Sequence, residues 1–166
     1  MPITYEPIAT TTVGSATAEV TFSGISGSYT DLVAVITGTR STTGNSVLVR
    51  INSDTGSNYS TTIIDGDGTS AVSERGSNMS SGIGVAAWKG NGSDQMVVIV
   101  NIMNYANTTT YKTVLSRYGQ AGTGTEALVG LWRSTAAITS LTFRSDNVSN
   151  LFSVGSVLTL YGIKAA

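Results

Sequence analysis

The chain has 166 residues, 11% of them charged, with a net charge of −1 and neither cysteine nor histidine. Its length suits one domain of ordinary size. The composition excludes disulfides, thiol chemistry, zinc held by Cys or His, and Ser-His or Cys-His nucleophiles, and it offers no basic stripe to follow a phosphate backbone, so no nucleic-acid partner is expected.

Apolar residues still make up 40% of the chain, and they recur with a period of two, the period of strands. Residues 1–12, with Pro2 and Pro7 and weak periodicity, read as an extended N-terminal arm, and 13–166 read as a single domain. The opening MPITYEPI has no basic segment followed by an apolar run, so no signal peptide is expected. After the arm comes AEVTF (18–22), a weak strand candidate, and then DLVAVITG (31–38), a short apolar run that predicts a buried strand. SVLVRIN puts Val47, Val49 and Ile51 on one face, with Leu48 and Arg50 on the other. YSTTIID (59–65) and GIGVAAW (82–88) are weaker candidates. QMVVIVNI (95–102) is apolar on both faces, which predicts a central strand. TYKTVLSRYG alternates, as does TEALVGLWRS, with Ala127, Val129 and Leu131 opposite Leu128 and Trp132. RSTAAITS (133–140) could close one helical turn. LTFRS and GSVLTLYGIK complete the series, the latter with Leu158 and Leu160 opposite Val157, Tyr161 and Ile163. Short strands bounded by Gly, Ser and Asn predict an all-β chain. The expected fold is a single-domain antiparallel β-sandwich, jelly-roll-like, of eight to ten short strands. No apolar stretch approaches the ~20 residues that span a bilayer, so no membrane partner is expected.

Two short stretches invite a metal reading. Asn52, Asp54 and Asn58 surround Gly56, and DGDG follows at 65–68. A calcium-binding EF-hand loop needs a bidentate Glu at its twelfth position. Counting from Asn52 that position is Ile63, and from Asp65 it is Gly76. A looser calcium site between loops stays open if Asp54, Asp65 and Asp67 meet in space, but both stretches read first as turns, in which Gly supplies positive φ and Asp or Asn bonds the backbone. Asp54, Gly56 and Asn58 form a turn leading into a strand that begins near Tyr59, and Asp65 with Gly66 forms a second turn. No metal, cofactor or catalytic residue is expected. The ten acidic residues lie mostly at strand ends and turns, so no carboxylate pair for glycoside cleavage stands out. Candidate interface residues are Tyr5, Pro7, Trp88 (just before the loop KGNGSD) and Tyr105. Trp132 and Tyr161, inside alternating strands, are expected in or beside the core.

The motifs YTDLVAVI, NSDTGSNYS, GLWRSTAAITSLTF and GSVLTLYGIK, in that order, resemble a set of small β-rich structural proteins of tailed bacteriophages. The resemblance runs from about residue 15 to 163. It implies a virion role and transfers no catalytic residue. The function it implies first is a capsid decoration, or cement, protein. Such a protein would be a homo-oligomer, a trimer, on the outer surface of the phage particle. It would assemble in the bacterial cytoplasm, with the major capsid protein as partner. The alternative is a tail-fibre or tail-tip component that binds a host surface glycan. A third reading, from another class, is a carbohydrate-active enzyme.

Overall fold

The computed structural model describes residues 4–39, 46–86, 94–120, 122–146 and 152–164. Among them the period-two segments form twelve strands. In chain order they are β1 (Tyr5–Thr12), β2 (Glu19–Ser23), β3 (Asp31–Gly38), β4 (Val47–Ile51), β5 (Tyr59–Gly66) and β6 (Ala71–Met79). They continue with β7 (Ile83–Ala86), β8 (Met96–Ile102), β9 (Lys112–Gln120), β10 (Gly124–Trp132), β11 (Ser140–Ser145) and β12 (Val157–Ile163). Every pairing is antiparallel. One sheet has eight strands in the order β1-β12-β3-β8-β9-β10-β5-β6, and the other has four in the order β2-β11-β4-β7. The fold is the expected β-sandwich.

The count of eight to ten strands was too low by the two outermost strands of the large sheet. The expected arm is extended, but over Tyr5–Thr12 it is a strand paired with β12. Edge position explains both its weak pattern and its proline: it has a neighbour on one side only, so Pro7 removes an N–H that the ladder can spare. The register shifts between Pro7 and Ala9, a bulge, and Lys164 Nζ lies 2.8 Å from Glu6 Oε1 beside it. Prolines, bulges and charges of this kind blunt an edge against unwanted pairing. The second missed strand, β6, is exposed along nearly all its length, so nothing in it alternates. The helical turn expected at residues 133–140 is absent, and the chain there is irregular up to the start of β11. The Asn52 side chain takes its place: Nδ2 donates to Ala137 O (2.8 Å), while Oδ1 accepts from Thr139 N (2.9 Å) and Ser140 N (3.1 Å).

The core lies between the two sheets. Leu32, Ile36, Val98, Val100, Ile102, Leu158 and Leu160 face inward from the large sheet, and Val49, Ile51, Ile83, Val85, Leu141 and Phe143 meet them from the small one. Phe22 and Phe143 pack edge to face at 6.2 Å. Each such aliphatic side chain contributes about 1.5–3 kcal/mol by leaving water. β8, apolar on both faces in sequence, lies fourth in the eight-stranded order, between β3 and β9.

At one point the two layers approach so closely that no side chain fits. Gly130 faces inward from β10 beneath β7, and an added Cβ would overlap the Ile83 side chain. We expect Gly130→Ala to destabilise the fold by about 1–3 kcal/mol through overpacking. Chemical denaturation checks this, and an unchanged midpoint would contradict it.

Candidate functional site

The turn between β4 and β5 begins with two residues in the left-handed region, Asn52 (φ 50°) and Ser53 (φ 56°). Asp54 follows and gathers donors. Its Oδ1 accepts from Gly56 N (2.7 Å), and its Oδ2 accepts from Asn58 Nδ2 (2.9 Å) and from Trp132 Nε1 (2.7 Å). The buried Tyr59 hydroxyl lies 3.0 Å from Asp54 O and 3.2 Å from Ile51 O as donor, and accepts from Ile51 N (3.2 Å). Partial burial pushes the Asp54 carboxyl up, but the bonds from Trp132, Asn58 and Gly56, with the Arg50 charge, outweigh it and hold the pKa below 3.8. Burial pushes the Tyr59 phenol up. Arg133, next to Trp132, donates to Ser57 O (2.6 Å) and Asn78 Oδ1 (3.0 Å). Both oxygens of Asp54 are committed to the turn, and the motif ties the β4–β5 connection to the end of β10. Trp132 and Arg133 belong to this motif, although their distance from it in sequence gave no sign of that.

The DGDG stretch requires a correction. Asp65 and Gly66 are the last two residues of β5, and the turn comes after them. Asp67 makes it: Oδ1 accepts from Thr69 N and Ser70 N, both at 2.8 Å. Asp54 and Asp67 flank opposite ends of β5, an eight-residue strand, so at ~3.3 Å per residue they stand more than about 20 Å apart. They cannot share one ion. Among the described residues no three acidic side chains come together.

Of the candidate interface residues, Tyr5 and Pro7 are exposed on β1, and Tyr5 packs edge to face with Tyr161 at 6.2 Å. Trp88 lies outside the described residues. Tyr105 is corrected: it is fully buried. Its hydroxyl donates to Ser26 O and accepts from Tyr29 N (3.3 Å), and its carbonyl accepts from Ile138 N (3.0 Å). It joins three connections at one end of the sandwich, and burial pushes its phenol up.

The surface that stands out is the outward face of the large sheet, at β8, β9, β10 and β5. Here both faces of the strands carry polar and apolar residues. Lys112, Ser116, Gln120 and Glu126 are buried on the inward face. The Lys112 ammonium donates to Thr110 O (2.8 Å) and Thr135 O (3.2 Å), and burial pushes its pKa down. Lys112 sits opposite Trp132 and Glu126 opposite Tyr118, six positions apart on the ladder at about 20 Å, so they form no acid–base pair. Val114, Tyr118, Leu128 and Trp132 of β9 and β10 are buried beside these polar groups, yet further apolar residues of this sheet point outward. Ile64 is 62% exposed, Val129 52%, Met103 48%, Val97 42% and Leu115 39%. Register places them together: Val129 lies opposite Leu115, and Ile64 opposite Ala127. A shallow depression of about 480 Å³, which Val97 does not line, runs among Ile64, Met103, Leu115, Arg117, Ala127 and Val129. Arg117 has no ion-pair partner among the described residues. A monomer rarely leaves a contiguous apolar field of this kind in water without a use for it. The signal for it lay in TVLSRYG and TEALVGLW, where each strand offers apolar residues to both faces while polar ones share the inward side.

No protein-family model and no curated protein matches the chain. Among solved structures it is similar to a marine alginate lyase from Aplysia kurodai, at 8% identity over 86% of this chain and 72% of that one, with a TM-score of 0.39. It is also similar to a galectin from Caenorhabditis elegans, at 8% identity over 94% of this chain and 96% of that one, with a TM-score of 0.35. Likenesses of this strength carry no argument about ligand or activity.

The Asp54 turn makes a testable forecast. Asp54→Asn turns a carboxylate oxygen into an amide that faces donors, so the variant should lose about 1–3 kcal/mol at neutral pH. The native pKa is depressed, so the carboxylate's contribution is present above the usual value of 3.8 and is lost as pH falls through the native value. Thermal melts of wild type and variant should therefore converge in acid. A gap that stays constant with pH would contradict this role.

Proposed function

We propose that this chain is a structural protein of a bacteriophage particle, of the capsid decoration class. It binds the outer shell by a preformed sheet face and stabilises it. The observation that carries this reading is the apolar field on the outward face of the eight-stranded sheet. The order of motifs that resemble those of small phage structural proteins supports it. So does the placement of the acidic side chains that the structure describes: Asp54 and Asp67 are tied to their own turns, and Asp31 accepts from Asn104 N at 2.6 Å.

The mechanism is mechanical. A rigid sheet laid across neighbouring shell subunits removes apolar area from water on both partners. Pulling the subunits apart must re-expose that area, so the outward pressure of packaged DNA meets an added resistance. The sheet backbone is fully paired in this region, because β8, β9, β10 and β5 all have neighbours on both sides. The face therefore docks without ordering loops, which keeps the entropic cost of association down.

Shells prepared without the protein test the reading. Adding purified protein should saturate them and raise their melting temperature in calorimetry. Failure to bind, with unchanged shell stability, would overturn the reading.

A further inference from the structure

Arg117 stands inside the apolar field. It projects from β9 between Ile99 of β8 and Ala127 of β10, and no carboxylate lines the depression it shares with Ile64, Met103, Leu115 and Val129. In water the guanidinium is hydrated and needs no counter-ion. Once a partner covers the face, that hydration is lost, and a buried charge without an opposite charge is strongly unfavourable.

We propose that the occupant of this depression is a protein surface that is apolar and presents a carboxylate to Arg117. The inference deepens the decoration reading and rests on it, with the surface belonging to the capsid subunit. Charge complementarity excludes the simplest competitor. A second copy laid face to face would bring another Arg117 and no carboxylate from the depression. A sugar surface fits poorly too, because no aromatic ring lines the depression to stack on it. Size fits a protein. Four strands at ~4.8 Å spacing, and the run from Val97 to Met103 at ~3.3 Å per residue, give a footprint of roughly 400 Å². That is the apolar centre of an interface burying about 800 Å² per partner, with Thr62, Asn101 and Thr125 left to form a polar rim. The planar guanidinium suits a paired bond to a carboxylate, which fixes orientation as well as adding affinity.

The test uses the full chain and shells prepared without it. Arg117 is exposed, so Arg117→Glu should fold and melt like wild type. Its affinity for shells should fall at least about thirtyfold, as for loss of a close interfacial charge pair. Arg75→Glu makes the same charge change on the exposed edge strand β6 and should cost less than about fivefold. Equal losses for the two variants, or none for Arg117→Glu, would overturn the assignment while leaving the decoration reading standing. Wild-type protein that does not bind shells would overturn both. Sedimentation of the chain alone covers the remaining occupant: an oligomer that Val129→Ser dissociates would mean that a second copy fills the face, and would overturn the proposal.

Discussion

A sheet has two faces, and the four-stranded layer of this sandwich covers only one face of its eight-stranded partner. Most of what is distinctive in the molecule follows from that inequality. Where β7 lies across β9 and β10, the inward positions are crowded enough to require Gly130. Beyond the small sheet, the inward positions of β9 and β10 take polar groups: Gln120 bonds Tyr118 and Asp94 O, and Lys112 bonds two carbonyls. On the outward face Ile64, Leu115 and Val129 are exposed, and none of the described residues packs over them. The hydrophobic effect favours a partner there.

The sandwich was legible because strands half-buried in a core alternate with a period of two. β4, β11 and β12 carried that signature, while β3 and β8 were legible as apolar runs; β8, apolar on both faces, does lie inside the large sheet, although its outward Val97 is 42% exposed. β1 and β6 were not legible as strands. Each has one neighbour, and β6 is wet on both faces, so neither needed an alternating sequence. The Asp54 turn was legible from its Asp, Gly and Asn, since those residues act on their own backbone. Its anchors were not. Trp132 reaches Asp54 across 78 positions of sequence, and only the pairing of β10 with β5 brings them together. Tyr105 misled for a related reason: a tyrosine in a loop suggests an exposed contact, but three chain connections meet over this one and consume its hydroxyl.

The outward face was the hardest feature to read. Period two assigns residues to faces without saying which face is inside. On β9 and β10 both faces mix polar and apolar residues, so the pattern left the choice open. The choice is made by what lies opposite. Trp132 and Tyr59 pair on the inward side, and that fixes Leu128 inward and Val129 outward along the same strand. An apolar surface in a chain with only 11% charged residues is consistent with a protein that spends its working life assembled. Among the described residues Asp54 and Asp67 cap turns, and the Tyr59 and Tyr105 phenols with the buried Lys112 ammonium join connections, so much of this side-chain chemistry serves shape.

The measurement that bears most directly on this reading is copy number in purified particles, relative to the major capsid protein, by quantitative mass spectrometry. A decoration protein tiled over the shell should be present in a ratio near one to one. A handful of copies per particle would instead place it on the tail or at a single vertex, and complete absence from particles would contradict a virion role altogether.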